Sequence, residues 1–100
     1  MSSSPKPIHQ LLDLLGRRWA LRILWKLHAD EAMTFRALQG RCGDMSASVL
    51  NDRLAELREA GIADRRPDGY VLSRRGSALL DALAPMEAWA KRWARRPTRP

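Results

Sequence analysis

The segment GDMSASVLNDRLAELREAGIADRRPDGYVLS, residues 43–73, decides the fold of this chain. Its leucines recur at i, i+4 and i+7, the spacing of one helix face: Leu50, Leu54 and Leu57. Ser46 precedes them as a favourable N-cap residue, and Gly61 follows them as a helix stop. The pattern predicts a helix over about 46–60 whose leucine face lies in the core.

Two short strands are predicted directly after this helix. Residues 62–65 and 70–72 are joined across Arg66-Pro67-Asp68-Gly69, whose Pro-Asp-Gly run is typical of a tight turn. Arginines flank this hairpin on both sides: Arg65, Arg66, Arg74 and Arg75. We therefore expect a small basic hairpin beside the helix.

Helical periodicity continues on both sides of the segment. Upstream it predicts three helices, over about 7–15, 19–29 and 35–41. Met33 and Thr34 add a short extended piece before the third of them. Downstream, Ser73 can cap a last helix, which Pro85 should kink or interrupt. That helix is expected to bury Ala78, Leu79, Ala82 and Leu83.

The resulting order is four helices, two strands and a final helix. A mainly α (α+β) chain of this order fits the winged helix-turn-helix, in which the second helix of a pair enters the major groove and a hairpin wing flanks it. Here the pair spans 35–60. No repeat or composition break divides the chain, so we expect one domain over 7–96 between flexible tails at 1–6 and 97–100.

The charge balance favours a nucleic-acid partner. Lys and Arg number 18 against 11 Asp and Glu among 100 residues, for a formal net charge of +7, and 15 of the 18 are arginine. The planar guanidinium suits phosphates and base edges better than an ammonium does. Chains of this length form one small core, which excludes large enzyme folds.

Several function classes lack their residues. One cysteine and two histidines exclude a disulfide framework and an ordinary structural zinc site, so we expect no metal and no cofactor. No spacing specifies a nucleophile with its base or a phosphate-binding glycine loop, and an enzyme is therefore not expected. No apolar stretch is long enough for a membrane span, which favours a cytoplasmic protein. For Cys42, a buried structural thiol is favoured over a redox sensor.

The outward face of the 46–60 helix carries the candidate base-reading residues. With the leucines inside, Ser48 and Asp52 face outward and Asn51 lies on the flank. All three are near the entering end, and their side chains can donate to or accept from base edges. The alternative is an ordinary solvated helix face. Candidates for backbone or groove contacts are Arg36, Ser46, Arg53, Arg58, Arg65 and Arg66.

Apolar residues on the two end helices predict a homodimer. A three-helix core is too small to cover both end helices, although packing against each other within one chain stays open. The candidate interface residues are Ile8, Leu11, Leu12, Leu15, Met86, Trp89 and Trp93. Core packing is expected for the rings of Trp19, Trp25 and Trp89, with an effector pocket between them as the alternative.

The ordered motifs from Lys6 to Trp89 resemble the HxlR family of bacterial transcriptional regulators, relatives of the MarR-type winged helices. The resemblance rests on Leu14-Leu15-Gly16-Arg17-Arg18-Trp19, WALRILWKL at 19–27, Phe35-Arg36-Ala37-Leu38, Met45-Ser46 with the leucine repeat, Gly61-Ile62, Tyr70-Val71-Leu72-Ser73 with Gly76, and Glu87-Ala88-Trp89. It implies a dimeric DNA-binding regulator whose first and last helices form the dimer interface.

The chain departs from the family pattern at four places. Lys6 stands where the family usually has a cysteine, so thiol-based sensing is not carried over. Thr34 replaces an arginine, Arg17-Arg18 replaces Gly-Lys, and the wing is short.

The sequence therefore predicts a sequence-specific transcriptional regulator that binds double-stranded DNA, at a pseudo-palindromic operator, as a homodimer. The alternative is a basic winged-helix module that binds RNA or a protein partner through its arginine-rich C-terminus. That alternative would use Lys91, Arg92, Arg95, Arg96 and Arg99. The sequence leaves the existence of a small-molecule effector open.

Overall fold

The computed structural model describes residues 6–43 and 45–95. Its elements are α1 Pro7–Leu15, α2 Ala20–Lys26, α3 Phe35–Arg41, α4 Ala47–Glu59, β1 Ala63–Arg66, β2 Gly69–Leu72 and α5 Arg74–Ala94. The predicted element order and the mainly helical class are confirmed. The predicted tails at 1–6 and 97–100 lie outside the described residues, apart from Lys6.

The core forms where α2, α3 and α4 meet under the sheet. The leucine stripe of α4 is fully buried, as its spacing predicts. It packs with side chains of the neighbouring elements that are no more than 1% exposed: Ile23, Leu24, Leu38, Cys42 and Ala63. This packing fixes which face of α4 is left for solvent.

Side-chain caps set the helix starts. The hydroxyl of Ser46 accepts a hydrogen bond from the Val49 amide at 3.2 Å, and the hydroxyl of Thr34 accepts one from the Ala37 amide at 3.1 Å. Each cap satisfies one of the amides that a helix leaves free in its first turn. The predicted boundaries of α3 and α4 therefore agree closely with the structure.

The second helix is shorter than the sequence pattern predicts. It ends at Lys26 rather than near Ala29, because Leu27 adopts an extended backbone. The following carbonyl, that of His28, accepts a hydrogen bond from the Leu72 amide at 2.8 Å. Pairing with the wing strand thus replaces the last helical turn.

The wing is a two-stranded antiparallel sheet anchored to the segment before α3. Its register pairs Ala63 with Leu72 and Arg66 with Gly69, so only Pro67 and Asp68 form the tip. Met33 extends the sheet through two backbone hydrogen bonds with Tyr70, of 2.9 and 2.7 Å. The predicted extended piece at Met33 and Thr34 therefore pairs with the wing through Met33.

The last helix differs from its prediction in two ways. It runs through Pro85 without interruption over 21 residues. An exposed helix tolerates this proline because water can satisfy the carbonyl that loses its amide partner. Ala78 and Ala82 are exposed rather than buried, and only the leucines of this stretch are partly buried, since α5 leaves the core after its first turns: Leu79, Leu80 and Leu83.

Gly76→Ala is expected to destabilise the fold by about 3 kcal/mol, because a β-carbon at this buried position would collide with the backbone carbonyl of Ile62. Gly40→Ala is the matched control, since no atom lies within 4 Å of its β-carbon position and alanine favours helix over glycine by about 1 kcal/mol. Urea unfolding at fixed protein concentration measures the stability of both variants. An unchanged midpoint for Gly76→Ala would contradict the close packing of α5 on Ile62.

Candidate nucleic-acid interface

The N-terminal half of α4 presents its polar face to solvent. Ser48, Asn51 and Asp52 are all exposed, because the buried leucine stripe lies on the opposite side of the helix. The three predicted base-reading side chains therefore share one accessible surface. Exposure alone is equally consistent with base reading and with an ordinary solvated helix face. The residues around this face therefore have to decide between the two interpretations.

A groove joins this face of α4 to the wing. It has a volume of about 490 Å³ and is lined by Thr34, Phe35, Asn51, Arg65, Arg66, Pro67, Asp68, Gly69 and Tyr70. The groove brings Asn51, one of the predicted base-reading residues, together with two of the predicted backbone contacts, Arg65 and Arg66. Sequence reasoning missed Thr34 and Phe35 as lining residues, and their position directly before and at the start of α3 was the available signal.

Arg65 of the wing packs on a neighbouring ring. The guanidinium of Arg65 lies 5.7 Å from the ring centroid of Tyr70, its cross-strand partner. A β-carbon on Gly69 would run into the backbone of Met33, so the strand approaches its neighbour as closely as glycine allows. The tip end of β2 is thus packed closely against the segment before α3, and Gly69 there pairs with Arg66 of β1.

Three further candidates lie at the ends of α3 and α4. Arg36 is exposed in the first turn of α3, Arg58 is exposed in the last turn of α4, and Ser46 is the exposed N-cap of α4. No carboxylate of the described residues forms a salt bridge with Arg36, Arg58, Arg65 or Arg66. Their charges are therefore free to meet phosphates.

Arg53 departs from the predicted set. Its side chain is only 15% exposed, and its Nη1 donates to Glu56 Oε1 at 2.6 Å. The Nε atom is buried and has no hydrogen-bond partner. Arg17 Nε lies 3.9 Å from the same Glu56 oxygen. Arg53 therefore serves a contact within the protein rather than the exposed face.

The predicted dimer residues divide into two groups. The exposed group is 53–57% accessible: Ile8, Leu12, Met86, Trp89 and Trp93. Within it the rings of Trp89 and Trp93 stack, with centroids 6.1 Å apart. Leu15 does not belong to this surface, because it is 8% exposed and packs into the chain's own core, and Leu11 is half-buried against that core. The end helices thus leave a large apolar area uncovered in the single chain.

Cys42 is a buried thiol at the end of α3. Burial raises the pKa of this thiol, while the nearby charges of Lys26 and Arg22 act to lower it. Its surroundings therefore favour the unreactive protonated form, as expected of a structural cysteine.

The expected core packing of the tryptophans is wrong for Trp25 and Trp89, which are 37% and 57% exposed.

Within residues 6–43 and 45–95, no group of three metal-ligating side chains comes together. The helices of the same residues are too short or too polar to cross a membrane.

Comparison with known proteins identifies the family. Residues 14–98 match the model of the HxlR-like helix-turn-helix family. YvaP of Bacillus subtilis (strain 168), named an HTH-type transcriptional regulator, is 29% identical over 89 residues, which cover 82% of each chain. YdzF of the same organism, named likewise, is 28% identical over 94 residues, which cover 87% of this chain and 86% of YdzF.

A solved structure supports the same assignment. Quinone-bound YodB from B. subtilis superposes with a TM-score of 0.78 at 29% identity, covering 89% of this chain and 99% of YodB. The matched family and relatives are transcriptional regulators rather than enzymes. The resemblance stated from the sequence and the winged-helix class are thereby confirmed, and this chain belongs to the HxlR-like helix-turn-helix family of transcriptional regulators.

Proposed function

We propose that this protein is a homodimeric regulator that binds a pseudo-palindromic DNA operator through α4 and the wing. The groove that joins Asn51 to Arg65 and Arg66 is the observation that carries the proposal. It combines an amide that pairs well with adenine and two guanidiniums suited to phosphates or a minor groove. Such a regulator works where the chromosome lies, so we place it in the cytoplasm.

Each side chain of the interface has a proposed role. Ser48, Asn51 and Asp52 read base edges. Asp52 restricts which bases are accepted, because its carboxylate accepts a hydrogen bond from cytosine and repels phosphate. Backbone or groove contacts come from Arg36, Ser46, Arg58, Arg65 and Arg66. The Ser46 oxygen already accepts from the Val49 amide, which leaves its hydroxyl hydrogen to donate to a phosphate. Arg53 is left out because Glu56 holds it.

Two copies are needed to read a two-fold site. A two-fold axis through the exposed parts of α1 and α5 would cover their apolar side chains and place two α4 helices in successive major grooves about 34 Å apart. Regulation is then steric, because the occupied operator blocks or assists polymerase.

Sequencing of genomic DNA fragments retained by the purified protein tests this function. At about 150 mM salt, screening removes loose electrostatic binding. We expect a two-fold motif with half-sites about 10 bp apart. Enrichment of fragments without any motif would contradict the proposal and point to the RNA-binding or protein-binding alternative.

Asn51→Ala is the specificity control for that experiment. It removes a surface side chain and leaves the leucine core intact, so overall DNA retention should persist. Enrichment of the motif should fall about tenfold or more, since one good base contact discriminates by about 1–3 kcal/mol.

A further inference from the structure

A second pocket lies between α2 and the C-terminal end of α3. Its volume of about 470 Å³ falls within the range of small-molecule sites, about 300–1,000 Å³. Its lining residues are Leu21, Arg22, Trp25, Lys26, Arg41, Cys42 and Gly43. None of these residues lines the groove beside the wing, so the pocket needs an explanation of its own.

The lining is positively charged without compensation. Arg22, Lys26 and Arg41 contribute three cations, and no carboxylate of residues 6–43 and 45–95 is among the lining residues. Within the described part of the chain, no salt bridge involves any of these three side chains. Lys26 is half-buried, so its charge is held partly out of water. The pocket therefore has an unmet preference for an anion.

Compensation of helix dipoles does not account for all three charges. Lys26 and Arg41 lie in the last turns of α2 and α3, where a cation is favourable. Arg22 lies in the first turn of α2, where the dipole disfavours a positive charge. Its guanidinium instead lies 4.6 Å from the centroid of the Trp19 ring, which is not one of the residues that line the pocket. The convergence of three cations thus exceeds what the helix ends require.

The remaining side chains of the lining are apolar. The indole of Trp25 is 37% exposed, Leu21 is half-buried, and Cys42 is buried. An aromatic ring stacks well on an indole, and a guanidinium binds a carboxylate through two parallel hydrogen bonds. We propose that this pocket binds a small aromatic carboxylate, with its ring against Trp25 and its carboxylate among Arg22, Lys26 and Arg41.

Benzoate titration followed by the indole N–H resonances tests the site. The chain has four tryptophans, and Trp25→Phe assigns the Trp25 resonance. We expect this resonance to shift saturably, with a dissociation constant of about 1–5 mM as for other fragments of this size. Ionic strength is held at about 150 mM throughout, so that screening does not change. Acetate supplies the charge alone and benzyl alcohol the ring alone, and both should shift the resonance much less.

Two variants separate the pocket from general surface charge. Arg41→Gln removes an exposed pocket cation and should weaken benzoate about tenfold, the expected loss of one charge-assisted contact. Arg92→Gln makes the same charge change on α5 and should leave the affinity unchanged. The proposal is overturned if benzoate gives no saturable shift, if benzyl alcohol or acetate matches it, if inorganic phosphate binds instead, or if both variants behave alike.

Discussion

The double variant Met86→Glu/Trp89→Glu is expected to be a monomer that binds the operator at least about 100-fold more weakly, because linked half-sites gain roughly 10²–10⁴ in avidity. Both side chains are more than half exposed on the part of α5 that lies beyond the core. Carboxylates placed there would face their own copies across a two-fold axis and repel. Light scattering coupled to gel filtration measures the mass, and fluorescence anisotropy with a labelled operator measures the affinity.

Ala84→Glu is the matched control for this variant. Ala84 is exposed on the same helix but lies about 160° from Met86 and 140° from Trp89 at 100° per residue. It should remain dimeric and keep its operator affinity. Because α5 packs on the core only near its start, neither variant should alter the helix content. A double variant that remains dimeric would contradict the role of α5 in dimerisation.

The double variant Arg65→Gln/Arg66→Gln is expected to lower operator affinity about 100-fold at physiological salt. Both residues line the groove beside Asn51, and none of the described carboxylates pairs with them. A dimer would lose four phosphate contacts, each of which changes the slope of log affinity against log salt by about 0.9. The slope should therefore become shallower by about 3.6. Titrations between about 50 and 200 mM salt measure it.

Lys91→Gln/Arg92→Gln removes the same formal charge from the end of α5 and serves as the control. Operator binding should keep its slope in this control. The opposite result, with the wing variant unchanged and the α5 variant defective, would favour the basic C-terminal contact of the RNA-binding alternative. The comparison thus separates a positioned contact from net charge, which acts on association at long range.

Local patterns in the sequence were sufficient for most of the fold. The leucine repeat of α4, the caps at Ser46 and Ser73 and the turn at Pro67-Asp68 each act within a few residues, so their structure follows from their chemistry. The exposed face of α4 followed from the same repeat. The element order and the arginine-rich charge favoured a DNA-binding winged helix, and the family motifs supported the same interpretation.

The wrong predictions depended on contacts between distant residues. Leu15 belongs to an amphipathic stripe, but only the packed structure shows that its side chain enters the core while Leu12 stays outside. Arg53 is the exception, because its contact is local: Glu56, three residues later on α4, pairs with its guanidinium. The pocket lined by Arg22, Lys26 and Arg41 combines α2 with the end of α3, and no sequence motif joins those two segments.

The short tip of the wing makes its reach adjustable in discrete increments. Met33 pairs with Tyr70, next to the end of β2 at Gly69, and only Pro67 and Asp68 form the tip. Each added pair of opposed residues would lengthen the hairpin by about 3.3 Å and turn the next pair to the other face. Relatives of this protein can therefore have longer or shorter wings, which contact more or less DNA beside the major groove. The three-helix core and α4 remain unchanged.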